Sequence, residues 1–184
     1  KKVLFADNLA PLADELFGRP EALDFYLAWF AATVFALQIY FDFSGYSEMA
    51  IGLALMFGVV LPRNFLHPYT SRSLREFWQR WHITLSRWLR DYLYISLGGN
   101  RHGKSRNLAN LMITMLLGGL WHGAAWTFVF WGFLHGTYLV LHRLLLDGCS
   151  RMGVLAGSIP SRVLSGLGWP VTLVLVWFAW VFFR

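Results

Sequence analysis

The chain of 184 residues is 57% hydrophobic and 14% charged, whereas about a quarter of the residues of a soluble domain are charged. The net charge is +6, and there are 10 Trp and 16 Phe, as expected where aromatic rings line membrane interfaces. A single cysteine, Cys149, excludes an internal disulfide. The composition therefore excludes an ordinary soluble protein and predicts an all-α, polytopic membrane helix bundle.

The first apolar segments are predicted at residues 25–41 and 46–61. A membrane-spanning helix needs about 20 apolar residues, so both segments are slightly short. The polar stretch between them contains Asp42 and Glu48. We expect this stretch either to form an outer turn in solvent or to turn its polar side chains into a cavity between helices.

An amphipathic helix is predicted over residues 74–97, because aromatic and leucine side chains recur there at helical spacing and arginines take the other face. Ser73 and Glu76 fit a capping box at its start, and the Gly98-Gly99 pair fits its end. The many arginines exclude a spanning helix and favour an interfacial or re-entrant one. His82 falls on the edge of its apolar face.

Three further membrane segments are predicted at residues 108–121, 124–146 and 167–183. The first has only 14 residues, which as a helix would measure about 21 Å, less than the roughly 30 Å of the hydrocarbon core. His122, which follows this segment, is therefore expected to lie within the membrane. We interpret residues 1–184 as one partial domain cut from a longer protein.

Basic residues are concentrated between positions 63 and 106, which hold nine of the 16 lysines and arginines. The positive-inside rule places this region on the cytoplasmic side. It could contact anionic headgroups, or it could hold an anionic acyl donor. Basic charge between membrane spans does not favour nucleic acid, and no such partner is expected.

Two histidines, His122 and His82, are the candidate catalytic residues. No phosphate-binding loop, nucleophile elbow or zinc spacing is present, so no metal site is expected. A buried neutral imidazole could take a proton from an attacking hydroxyl, and arginines could hold the phosphates of a thioester donor. The residues alone leave a structural role open for both histidines, and they also allow a transporter lined by Asp42, Glu48 and His122.

The motifs FDFSGYSEMA at 41–50, FWQRWHITLSRWLRDYLYI at 77–95 and LLGGLWHGAAW at 116–126 resemble the membrane-bound O-acyltransferases. The resemblance is strongest to the bacterial alginate O-acetyltransferase branch and weaker to the teichoic acid D-alanylation proteins. It implies that His122 is the catalytic histidine and His82 the second motif histidine. The arginines assigned tentatively to donor binding are Arg80, Arg87 and Arg90.

The resemblance also implies a reaction and a location. An acetyl group would pass from a cytoplasmic thioester, either acetyl-CoA or an acyl carrier, toward hydroxyls of an extracytoplasmic polysaccharide such as alginate. D-alanyl or other acyl transfer to an envelope polymer is the alternative. The partners would be the bilayer, the polysaccharide and a periplasmic or membrane-anchored acetyltransferase, at the bacterial inner membrane. No cofactor is expected to stay bound, and this piece alone is expected to be inactive.

Overall fold

A computed structural model describes residues 1–153 and 159–184, with the backbone alone for residues 159–165. The described residues contain helices and no strand, so the predicted all-α class is confirmed. They form two compact units, residues 1–65 with Arg184, and residues 66–183. Three described helices are long and apolar enough to cross a membrane, namely Phe25–Met56, Trp126–Arg151 and Gly166–Phe183.

The first unit contains a π-helical turn, Lys2–Ala6, followed by α1, Asp7–Phe17, and α2, Phe25–Met56. The Asp24 side chain caps α2 by accepting a hydrogen bond of 2.8 Å from the backbone N–H of Leu27. The two segments predicted at 25–41 and 46–61 are wrong as separate elements, because α2 is one helix of 32 residues that ends at Met56.

The polar stretch inside α2 is helical, and its charges are paired within the unit. Lys2 pairs with Asp42, and Lys1 pairs with Glu48. A Cβ on Gly45 would lie 3.1 Å from the backbone nitrogen of Lys2, so the N-terminal segment packs directly on α2 at this glycine. The side chains expected in an outer turn therefore face the N-terminal segment instead.

The second unit begins with α3, Leu74–Arg80, and α4, Ile83–Trp88, followed by a π-helical turn over Leu89–Tyr94. The hairpin of α5, Gly103–His122, and α6, Trp126–Arg151, comes next. The last helix is α7, Ile159–Phe183.

The predicted continuous helix over 74–97 is wrong, because it is interrupted between α3 and α4. His82 has φ 41° and ψ 56°, a left-handed conformation that is uncommon outside glycine. The carbonyl of Arg80, freed by the break, accepts a hydrogen bond of 2.9 Å from the N–H of Leu66. The hydroxyl of Ser86 donates to the carbonyl of Trp81 at 3.2 Å, so the carbonyls of Arg80 and Trp81 both have donors.

The ends of this region follow the sequence signals. Ser73 Oγ accepts a hydrogen bond from the N–H of Glu76 at 3.1 Å, which caps α3 as predicted. Gly98 and Gly99 have φ 102° and 56°, angles that glycine adopts without strain. They stop the helical path after the π-helical turn.

Helix α5 is longer than the predicted segment 108–121, because it includes the polar residues from Gly103 onward. Lys104 pairs with Asp147 of α6 at 2.8 Å, and Asn107 donates to the hydroxyl of Tyr94 at 2.6 Å. These contacts stabilise the polar first turns. The 20-residue helix measures about 30 Å, which is as long as the hydrocarbon core is thick. The length of this segment therefore does not by itself place His122 within the membrane.

Helices α5 and α6 cross at glycines that leave no room for a side chain. A Cβ on Gly132 would lie 2.4 Å from the carbonyl oxygen of Met115, and one on Gly119 would lie 2.3 Å from that of Phe128. A Cβ on Gly136 would meet the sulfur of Met112 at 2.7 Å. Such close backbone approach is the usual basis of helix packing in membranes, and it fixes α6 against the end of α5.

Candidate active site

His122 is the last residue of α5, and its half-buried imidazole is surrounded by aromatic rings. The ring centroids of Trp131 and Phe183 lie 5.3 Å and 5.0 Å from its own, with edge-to-face geometry. Phe128 lies at 6.2 Å. A Cβ on Gly123 would lie 2.7 Å from the Phe128 ring, so a glycine after His122 allows this packing. These rings cover part of the imidazole and limit the access of water to it, while the rest of the side chain stays exposed.

His82 lies at the break between α3 and α4, outside the three candidate spans. Burial, and to a smaller extent the nearby positive charge of protonated His122, lower the pKa of His82 from 6.5 to about 4. At neutral pH the His82 imidazole is therefore uncharged and able to accept a proton. The fold thus brings together the two histidines that are 40 positions apart in the sequence.

The three arginines assigned to donor binding have different surroundings. Arg80 pairs with Glu76 at 2.7 Å and Arg90 with Asp91 at 2.7 Å. Arg87 is exposed and has no ion pair of this kind among the described residues. Of the three guanidinium groups, that of Arg87 is the most available to an outside anion.

His135, which the sequence analysis passed over, is the most deeply buried histidine of the described residues, with 0% of its surface exposed. Its ring centroid lies 4.8 Å from that of Trp131 and 5.1 Å from that of Trp78. Neither ring nitrogen has a hydrogen-bond partner among the described residues. Trp131 thus touches both His122 and His135, and the spacing of Trp131 and His135 by one helical turn was the signal that could have identified this residue.

Helix α7 borders a surface cleft near its start and contacts His122 near its end. The cleft has a volume of about 370 Å³ and is lined by Thr70, Arg72, Gly166 and Trp169. Phe183, which contacts His122, lies 14 residues after Trp169 along the same helix. At 1.5 Å per residue this separation is about 21 Å. The cleft and His122 therefore lie near opposite ends of one candidate membrane span.

No group of three or more histidine, cysteine, aspartate or glutamate side chains within the described residues is arranged to hold a metal ion. The chemistry that the described geometry can support is proton transfer by imidazole in an aromatic surrounding.

Comparison with protein families decides which kind of membrane protein carries this arrangement. The model of the membrane-bound O-acyltransferase family, MBOAT, matches residues 1–155. The chain belongs to the membrane-bound O-acyltransferase family. The resemblance drawn from the motifs is confirmed, and His82, His122 and His135 all lie inside the matched region.

Three curated relatives show different levels of sequence identity to this chain. A probable alginate O-acetylase, AlgI, of Azotobacter vinelandii is 51% identical over 187 residues, covering 100% of this chain and 35% of the relative. A peptidoglycan O-acetyltransferase of Helicobacter pylori is 46% identical, covering 100% of this chain and 34% of the relative. A teichoic acid D-alanyltransferase of Streptococcus thermophilus is 38% identical over 116 residues, covering 59% of this chain and 28% of the relative. The chain spans about a third of the length of the full-length MBOAT relatives it matches.

Proposed function

We propose that this chain is the histidine-bearing part of a membrane O-acyltransferase that moves an acetyl group from a thioester toward hydroxyls of a cell-envelope polysaccharide. The observation that carries the proposal is the position of His122, half-buried among Trp131, Phe128 and Phe183, in a chain of this family. A neutral imidazole with limited access to water is suited to general base catalysis.

In the proposed reaction, the acceptor hydroxyl oxygen attacks the carbonyl carbon of the thioester while His122 accepts the hydroxyl proton. Collapse of the tetrahedral intermediate breaks the carbon–sulfur bond, and the imidazolium returns its proton to the departing thiolate. The products are an ester and a free thiol. His82, uncharged at neutral pH because burial lowers its pKa to about 4, is the second histidine of the site and would assist proton transfer beside His122.

The donor is proposed to be acetyl-CoA or an acyl carrier thioester approaching from the basic cytoplasmic side. Arg87 is free to bind its phosphates, whereas Arg80 and Arg90 would first have to exchange their carboxylate partners, Glu76 and Asp91. Charge-assisted hydrogen bonds from guanidinium to phosphate are strong enough to drive such an exchange.

The acceptor is proposed to be an extracytoplasmic glycan such as alginate. The protein would lie in the bacterial inner membrane, and a periplasmic or membrane-anchored acetyltransferase would complete the modification. Relatives named for alginate and peptidoglycan O-acetylation are 51% and 46% identical over the whole chain, whereas the D-alanyltransferase matches only 59% of it. This difference favours acetyl over D-alanyl transfer.

The test is replacement of His122 by alanine in the full-length protein. Membranes would be supplied with labelled acetyl-CoA and polysaccharide, at matched protein level. We expect acetyl transfer to fall by about 10²- to 10⁴-fold, the usual contribution of a general base. His102→Ala is the matched control, because His102 is exposed and lies outside the aromatic surrounding of His122. Undiminished transfer by His122→Ala would leave the chain a structural membrane component and refute the catalytic assignment.

A further inference from the structure

His135 is a buried histidine that the proposed reaction does not use. None of its surface is exposed. The rings of Trp78, Trp131 and Trp180 lie 5.1, 4.8 and 6.5 Å from its own, centroid to centroid. Burial of a polar group without a hydrogen bond is costly, and a phenylalanine would fill the same space without that cost. The imidazole therefore calls for a role that a phenyl ring could not fill.

These four rings contain a concentration of unpaired polar atoms. Five buried nitrogen atoms have no hydrogen-bond partner among the described residues, namely both of His135 and the indole nitrogens of Trp78, Trp131 and Trp180. An N–H group can rest on an aromatic face as a weak alternative. The bare nitrogen of a neutral imidazole has no such alternative, because it is an acceptor and the face of an aromatic ring is negative. This nitrogen of His135 needs a donor.

The enclosure of His135 limits what that donor can be. Trp78 of α3, Trp131 of α6 and Trp180 of α7 surround the imidazole, so another part of the full-length protein could not reach it without displacing a ring. A water molecule is small enough to lie among them. Enclosed waters typically make about three hydrogen bonds to buried groups that otherwise lack partners, and two indole N–H groups with one imidazole nitrogen are such a set.

We propose that His135 binds one enclosed water molecule and, through it, positions Trp131 beside His122. The water accepts hydrogen bonds from the indole N–H groups of Trp78 and Trp131, and it donates one to the bare nitrogen of His135. This inference rests on the proposed acyltransferase function, and it adds a positioning residue to the proposed general base.

The orientation of Trp131 is what such a water would fix. Packing sets the plane of the indole, which stacks on Trp180 with an interplanar angle of 22° and meets His122 edge to face at 89°. The same indole turned over in its slot would fill nearly the same space, so packing separates the two orientations poorly. A hydrogen bond from Nε1 separates them, because only one orientation directs the N–H toward the water. His135 follows Trp131 by one turn of α6 and thereby holds the ring that covers His122.

The experiment measures acetyl transfer by variants of the full-length protein in phosphatidylcholine nanodiscs. His135→Phe keeps a ring and removes both nitrogens, whereas His135→Gln keeps a donor and an acceptor. We expect His135→Phe to lower kcat by about tenfold, because a misplaced catalytic group slows the chemical step, with KM for acetyl-CoA within about twofold. His135→Gln should recover most of the lost kcat. His142→Phe is the matched control, since it makes the same change at a half-buried histidine further along α6, and it should leave kcat unchanged.

Thermal unfolding gives a second readout that does not depend on catalysis. If His135 only fills space, His135→Phe should be at least as stable as the wild type, because an apolar ring of the same shape removes the cost of unpaired nitrogens. If His135 holds the water, the Tm of His135→Phe should fall below that of the wild type, with His135→Gln between them. Trp78→Phe, which removes an indole donor from α3, is the second variant if His135→Phe does not yield a monodisperse protein. It should lower kcat and Tm in the same direction.

A cryo-EM map of the wild-type full-length protein, at a resolution that shows ordered water, tests the site without any variant. We expect a peak about 2.7–3.2 Å from one ring nitrogen of His135. A well-resolved map without this peak, or with a protein group donating to that nitrogen, would overturn the proposal. Unchanged kcat in His135→Phe would overturn the positioning role even with the peak present. A wild type that shows the peak and the Tm differences but transfers no acetyl group would overturn the proposed function and leave the water site.

Discussion

The crossing of α5 and α6 makes a quantitative prediction for Gly132→Ala. The added Cβ would lie 2.4 Å from the carbonyl oxygen of Met115 and 3.2 Å from the Cα of Leu116. Both are backbone atoms that cannot rotate away, so the helices must separate by roughly 1 Å to restore ordinary contact. We expect the substitution to destabilise the folded protein and to loosen Trp131, the neighbouring residue that contacts His122.

The magnitude follows from two opposing effects. Overpacking of a well-packed interior costs about 1–3 kcal/mol, and replacing glycine by alanine within a helix returns about 0.5–1 kcal/mol. The two ranges combine to a net loss of roughly 0–2.5 kcal/mol for Gly132→Ala. Gly148→Ala is the matched control in the same helix, because a Cβ there meets nothing within 4 Å. It should gain the helical preference without the clash, which separates the two variants by about 2 kcal/mol.

The assay is thermal unfolding of the full-length protein in one detergent, with wild type, Gly132→Ala and Gly148→Ala measured side by side. The Tm of Gly132→Ala should fall below that of the wild type, and the Tm of Gly148→Ala should equal or exceed it. A Gly132→Ala protein as stable as the Gly148→Ala protein would mean that α5 and α6 do not cross as closely as described.

Two further predictions concern the second unit. Because the pKa of His82 is about 4 in the folded protein and 6.5 in the unfolded chain, its contribution to stability is fully present above pH 6.5 and is lost as pH falls toward 4. Between pH 7.5 and pH 5 the wild type should lose about 1–2 kcal/mol more stability than His82→Gln, measured as a larger fall in Tm. An equal fall in Tm for the two proteins would contradict this prediction. Asn110, which is 1% exposed, donates to two backbone carbonyls at 3.1 and 3.0 Å. Asn110→Ala should therefore cost about 1–3 kcal/mol in thermal unfolding, and a loss below 0.5 kcal/mol would show that water replaces the amide.

Local signals predicted the parts of the fold that depend on a few neighbouring residues. Ser73 and Glu76 form the cap of α3, and Gly98 and Gly99 adopt the positive φ angles that end the helical path. The apolar composition predicted a helical membrane protein, because a chain in lipid has to satisfy its backbone hydrogen bonds internally. Side-chain chemistry together with the motifs singled out His122 and His82.

Other features depend on contacts between residues that are far apart in the sequence. Asp42 and Glu48 lie within one continuous α2 and pair with Lys2 and Lys1, and no pattern within residues 38–48 predicts these partners. At the break beside His82, the N–H of Leu66, 14 positions from Arg80, donates to the carbonyl of Arg80.

Contacts between distant residues also explain which features of the candidate site could not be predicted from the sequence. In the sequence, His135 is simply a polar residue in an apolar helix. In the fold it is fully buried, with Trp78 and Trp131 packed against it. The cleft at the start of α7 is lined by residues almost 100 positions apart, such as Arg72 and Trp169. The sequence by itself therefore determined the class of protein and its two motif histidines, because these depend on composition and on short motifs. Tertiary structure decided which rings surround His122 and which residues line the cleft at the start of α7, because packing between segments that are distant in the sequence creates both.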